Sequence, residues 1–187
     1  MTMKTIITLG GLVLLTLLSG CATLSETECA SGNWQQIGYK DGKSGRDSDY
    51  IIKHESACIE YGVQLDRVAY EAGRQQGLTR YCTADNGFSR GSRGSSPNLS
   101  CSSQQFPVYF DGYNQGLFSR IERLELDLDE AYKEHEILTE VLRRVKDEQE
   151  KDRIELELED VDNDIDALQR QISQTKDLIR RFRRYED

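Results

Sequence analysis

From Phe118 to Asp187 the chain contains neither glycine nor proline, so nothing in its last 70 residues interrupts helix by backbone chemistry alone. The apolar residues there form two seams. Ile121, Leu124, Leu128, Ala131, His135, Leu138, Leu142 and Val145 alternate steps of three and four. Ile154, Leu158, Val161, Ile165, Leu168, Ile172, Thr175, Ile179 and Phe182 do the same. Such steps are heptads, the pattern of helices that bury one stripe against another helix. The seams are out of phase, and Lys146 to Arg153 between them is wholly polar or charged. A chain folded back at that break sets Ile121 against Phe182, Leu124 against Ile179, Leu142 against Val161 and Val145 against Leu158. A register one heptad away fits nearly as well. The same fold brings Arg180, Arg181, Arg183 and Arg184 beside Glu122 and Glu125, with the arginines at the negative end of a helix. The alternative is one rod from Pro107 to Asp187, about 120 Å long at 1.5 Å per residue, which needs a partner chain to cover its seam. Lys146 to Arg153 has no Gly, Pro or Asn to force a turn, but near-equal arms and the phase jump favour the hairpin.

Charge follows the same division. Residues 118–187 hold 14 Lys+Arg and 22 Asp+Glu, a net of −8 within a whole-chain net of −9. An acidic chain repels phosphates, which argues against a nucleic-acid or an anionic-lipid surface, so no nucleic acid is expected as a partner. A long helical arm without a catalytic set is an interaction device, so a protein partner is expected on residues 118–187.

Upstream, three segments carry glycines four residues apart. They are Gly38 and Gly42, Gly73 and Gly77, and Gly112 and Gly116, within stretches that begin at Trp34, Ala69 and Val108. Leu78 and Leu117 follow the last two pairs. Starts 35 and 39 residues apart suit a weak internal repeat. On a helix, positions i and i+4 share a face, so each pair would bare a strip of backbone to a neighbouring helix. The cost is about 1 kcal/mol per glycine relative to alanine. Turns with positive φ are the alternative, and Asp41-Gly42 is a good turn dipeptide. Short helices are favoured. Asp49 to Tyr61 and Val63 to Tyr81 have helical spacing, Thr83 to Gln105 has the composition of a loop, and Pro107 fits the first turn of a helix.

At the other end, Lys4 precedes an uncharged run from Thr5 to Leu18, closed by Leu18-Ser19-Gly20-Cys21. That is the plan of a secretory signal peptide over residues 1–20. Its 14 uncharged residues fall short of the ~20 that span a bilayer. Cys21 after small residues resembles the lipobox of bacterial lipoproteins. The resemblance implies cleavage before Cys21 and acylation of its sulfur and new amino end, and hence membrane attachment through lipid on Cys21. Ala22, in place of Asp, implies the outer membrane facing the periplasm. Ala22 to Asn33 reads as a short tether.

Four cysteines remain in an exported chain, which suggests two disulfides. Cys82–Cys101 is expected because the segment between them is short and rich in Gly and Ser. Cys29–Cys58 follows by elimination. Zinc held by His54 and Cys58, four residues apart on one helix face, is the rival. It lacks a close Cys pair and does not suit an oxidising compartment.

Trp34, Gly38-Tyr39, Asp41-Gly42 and Gly45 resemble the signature of a family of bacterial lipoproteins known only as a domain of unknown function. So do Gly73, Gly77-Leu78, Tyr81-Cys82, Asn86-Gly87-Phe88, Gly91, Gly94, Cys101 and Tyr109. The resemblance covers about residues 29–117 and departs from the pattern at Ser95-Ser96-Pro97, where an aromatic residue is expected. It implies a secreted, lipid-anchored, disulfide-bearing small domain and brings no catalytic residues.

Chemical motifs are few. There is no histidine–carboxylate–nucleophile signature, and Gly87, Gly91 and Gly94 lack the lysine of a phosphate loop. Asp160, Asp162, Asp164 and Asp166 lack the glycine of a calcium loop and read as a solvated face. His135 sits on a seam as a packing residue. Tyr39, Tyr109, Phe110, Tyr113 and Phe118 read as core, or as the lining of a binding surface. The expectation is therefore a mainly α protein. A signal peptide (1–20) and a tether (21–33) precede a small disulfide-stabilised helical domain (34–117) and a coiled-coil hairpin (118–187). No catalytic residue, metal or cofactor is expected. The expected role is structural or interactive in the envelope, with a periplasmic cell-wall or small-ligand binding module as the alternative.

Overall fold

The computed structural model describes residues 23–183. The signal peptide, Cys21 and Arg184 lie outside them. The described residues hold seven α-helices. They are α1 (Glu26–Ser31), α2 (Trp34–Lys43), α3 (Ile51–Ile59), α4 (Arg67–Tyr81), α5 (Ala84–Ser92), α6 (Phe106–Arg144) and α7 (Glu148–Phe182). A single 3-10 turn at Ser48–Tyr50 leads into α3. The protein is mainly α, a disulfide-stabilised helical head continued by a long hairpin. Helix starts are set by short polar side chains that accept orphan N–H groups. Ser25 and Glu28 form a capping box on α1, while Asn33, Asp66, Thr83 and Asp147 cap α2, α4, α5 and α7. Pro107 stands in the first turn of α6, where a missing N–H costs nothing.

All three glycine pairs lie inside helices, so Asp41-Gly42 is not a turn. A fourth pair, Gly87 and Gly91, lies in α5, within the stretch expected as a loop. The four strips pair off, α2 against α4 and α5 against α6. At each of the eight glycines an added Cβ would stand 1.9–2.2 Å from a carbonyl oxygen of the facing helix. Gly38 meets the Tyr70 carbonyl, Gly73 that of Gln35, Gly87 that of Tyr109 and Gly112 that of Ala84. Backbone lies directly on backbone, an approach that only glycine permits.

The two pairs are copies of one design. Gly38, Gly42 and Gly45 recur as Gly87, Gly91 and Gly94, and the third of each trio has φ near +70°. Tyr70, Gly73, Gly77 and Leu78 recur as Tyr109, Gly112, Gly116 and Leu117. Each copy has its own disulfide, joining the segment before its first helix to the segment before its second. The disulfides are Cys29–Cys58 and Cys82–Cys101, as expected. The copies meet where Asn98 Nδ2 donates to the Gly45 carbonyl at 2.7 Å and the Tyr81 and Tyr109 rings stack at 6.0 Å.

Residues 23–33 are folded rather than a free tether. Leu24 and Cys29 are buried with Trp34, Ile37, Ile51, Cys58 and Tyr70. The disulfide draws α1 onto α3, and Gly32 (φ 62°) closes α1 in the left-handed conformation.

The hairpin turns at Val145–Asp147, earlier than the middle of Lys146–Arg153, because Asp147 accepts from Glu150 N at 2.9 Å and starts α7 there. Moving the turn by about three to four residues moves the register by about one heptad. Ile179 and Phe182 accordingly pack with Phe110, Tyr113 and Leu117 rather than with Leu124 and Ile121. Lys176 reaches Glu125 at 3.0 Å, where arginines were expected, and Arg180 bonds Asp177 on its own helix. Since α6 runs unbroken through residue 117, the small domain and the arm share a helix and do not divide there.

Candidate functional site

Thr23, at the start of the described residues, is tied to the head by a polar cluster. His54 of α3 is 3% exposed. Its Nδ1 lies 2.8 Å from Thr23 Oγ1, and its Nε2 lies 2.7 Å from Asp41 Oδ2 of α2. Tyr70 of α4 donates its hydroxyl to the same Asp41 oxygen at 2.8 Å. Burial, and then the Asp41 carboxylate, hold the Tyr70 phenol far above its ordinary range. In space Thr23, His54 and Asp41 stand in the order of a nucleophile, base and orienting group. However, the imidazole is walled in, and Leu24, next along the chain, is core. The arrangement is that of a clasp holding Thr23 against α3.

Beside the clasp, Tyr50 meets the His54 ring edge-on with centroids 5.2 Å apart. Arg46 and Lys53 stand over the Tyr50 ring at 4.3 and 5.1 Å, within cation–π range. Arg74 is buried in α4, forked onto Glu71 at 2.7 Å and donating to the Arg46 carbonyl at 3.0 Å. That fork holds the Glu71 carboxyl below its usual range. In the second copy, the position of Arg74 is taken by Tyr113.

Tyr113 is buried, and its hydroxyl has no hydrogen-bond partner among the described residues. Burial pushes Tyr113 and Tyr109 up to about 12. A folded-state pKa raised above the unfolded value of 10 stabilises the fold fully below pH 10 and less as pH rises toward 12. An absorbance titration of the tyrosines is therefore expected to show a class that ionises only with alkaline unfolding. Stability to denaturant should fall between pH 10 and about 12. Ionisation of every tyrosine near pH 10 with the fold intact would contradict this.

Cys58 is bonded to Cys29 and His54 to Thr23 and Asp41, so the zinc pair does not exist. Among the described residues no group of three or more His, Cys, Asp and Glu is placed to hold a metal. Tyr109, Phe110 and Tyr113 are core, Tyr39 is half-buried and Phe118 is exposed, so these aromatics do not share one open surface. His135 is half-exposed on its seam, with Nε2 3.5 Å from Asp162 Oδ1 of α7. Asp160, Asp162, Asp164 and Asp166 are all exposed.

The seam of the arm is covered unevenly. Near the head, Ile121 and Leu124 are buried, and Arg120 bonds Gln171 at 2.7 Å and Thr175 at 3.3 Å. Farther out, Leu128, Ala131, Leu138 and Leu142 of α6 are only half-buried while Ile154, Val161 and Ile165 of α7 are buried, and Leu126, Ile137, Val141 and Leu156 are exposed.

The head's four glycine strips, with Trp34 and Cys82–Cys101, now bear on family. Residues 33–118 match DUF2799, a protein of unknown function. The matched segment starts at the cap of α2 and ends within α6, so it takes in both paired-helix copies and leaves out α1 and most of the arm. No curated protein and no solved structure matches the chain. Among the described residues, no helix is long and apolar enough to cross a membrane.

Sequence reasoning missed α5, the clasp and the second copy. The signal for the first and third was present in Gly87-Phe88-Ser89-Arg90-Gly91, which repeats the four-residue glycine spacing behind a capping Thr83. The clasp has no linear signal, since Thr23, Asp41, His54 and Tyr70 meet only in three dimensions.

Proposed function

We propose that this protein is a lipid-anchored envelope protein, held through acylated Cys21 at the periplasmic face of the outer membrane, whose hairpin arm docks another envelope protein. The observation that carries the docking role is the half-covered α6 side of the outer seam. Two helices alone leave Leu128, Leu138 and Leu142 partly in water, and Leu126, Ile137 and Val141 add apolar surface on a strongly acidic arm. Apolar area of that kind is stabilised by a third surface laid along it. The Cys21 lipobox and the two disulfides, which persist in oxidising compartments, support the location.

Cells fed labelled palmitate are expected to label the wild-type chain and not Cys21→Ser, and the variant should leave the outer-membrane fraction. Photo-crosslinkers at positions 137 and 141 should capture one envelope protein, and positions 122 and 125 near the head should not. Unlabelled protein removes the anchor. Equal, nonspecific capture at all four positions removes the docking role.

A further inference from the structure

Resting on the assignment of Cys21 as the lipid site, we infer that the head lies directly on the bilayer through the corner formed by Arg46, Tyr50 and Lys53. Thr23 is fixed to His54, and Leu24 is in the core, so the folded head begins two residues after Cys21. Two residues reach at most about 7 Å, less than the diameter of one helix. An acyl chain inserted at Cys21 therefore presses the surface around Thr23 against the headgroups.

What stands on that surface suits the place. Tyr50 touches the clasping His54, and Arg46 and Lys53 flank its ring. A tyrosine rimmed by long cationic stems is the side-chain set that settles at the headgroup level, ring toward glycerol and charges toward phosphate. Asp47 and Asp49 line the same recess as Arg46 and Lys53, and Glu26 and Glu28 follow Thr23 closely in the chain. Charges of both signs fit a zwitterionic layer carrying phosphate and ammonium, such as phosphatidylethanolamine, rather than a purely anionic one.

The test couples the chain from Cys21 onward, through that cysteine, to a maleimide phospholipid. Cys21 is the one thiol outside the two disulfides. Because the anchor is supplied chemically, the result does not depend on whether cells acylate Cys21, which palmitate labelling answers separately. A fluorescent amino acid replaces exposed Ser48 in one sample and exposed Lys146, at the hairpin turn, in another. Both are placed on phosphatidylethanolamine-rich vesicles containing a headgroup-nitroxide lipid. Quenching at position 48 should exceed that at 146 by about threefold or more, since headgroup contact is short-range. Arg46→Gln with Lys53→Gln should at least halve it while the thermal melt stays unchanged. Both side chains are exposed, and glutamine keeps the carbonyl that Arg74 bonds. Equal quenching at 48 and 146, or no effect of the double substitution, would overturn the inference.

Discussion

Alanine at Gly38 or Gly73 is expected to abolish cooperative folding of the head. The new methyl carbon would stand 1.9 Å from a carbonyl oxygen of the facing helix, and the obstacle is backbone that cannot rotate aside. Overpacking a core costs about 1–3 kcal/mol when side chains can shift. Here two helices must part along their whole contact, so the loss should exceed about 3 kcal/mol, a large fraction of the 5–15 kcal/mol typical of a domain. The same result is expected at Gly87 and Gly112 in the second copy, whose added Cβ would lie 2.0 and 2.1 Å from Tyr109 and Ala84 carbonyls. Gly62→Ala is the control. Unlike the helical glycines it has positive φ, but nothing lies within 4 Å of its added Cβ, so only the left-handed backbone is strained, at about 1–2 kcal/mol. Thermal melts followed by circular dichroism rank the variants. Gly38→Ala melting no lower than Gly62→Ala would show that the helices do not touch as described.

Removal of the Cys29–Cys58 disulfide, by alanine at both positions, is expected to cost about 3–4 kcal/mol through the entropy of the opened loop. The span of 29 residues is longer than the 19 of Cys82–Cys101, but the logarithm makes that difference small. What separates the two disulfides is what each restrains. A six-residue α1 is too short to persist alone, so without Cys29–Cys58 the segment from Thr23 should leave the head, exposing Leu24 and His54. Limited proteolysis is then expected to cut within residues 23–33 while α6 and α7 stay intact. Cleavage no faster than in the wild type would mean that the clasp and Leu24 hold the segment without the bond.

The long helices were legible because the seams of α6 and α7 are local patterns, each repeated many times over. The disulfides were legible because four cysteines beyond Cys21 allow only three pairings. The turn lies about one helical turn earlier than expected because an acidic cap, Asp147 with Glu150 behind it, is easily lost in a run of charges. α5 reads as a loop in the sequence because glycine lowers helix propensity wherever it is counted residue by residue. At Gly87 and Gly91 that local penalty is overruled by the contact with Tyr109 and Tyr113, which lie more than 20 residues away. The tether was misread for a related reason. Residues 23–33 are mostly polar, but Leu24 and Cys29 join a core supplied by α2, α3 and α4, and Thr23 is held by His54.

α6 runs without a break from the glycine contact at Gly116 to the hairpin turn at Arg144, about 42 Å at 1.5 Å per residue. With α7 bonded back to its base through Arg120, the hairpin works as a rigid pointer whose pivot is the second paired-helix copy. A tilt of about 10° at that pivot sweeps the far tip through roughly 7 Å, a little more than one helical turn. Small rocking of the head would thus be magnified into motion large enough to make or break contact with whatever stands at the other end.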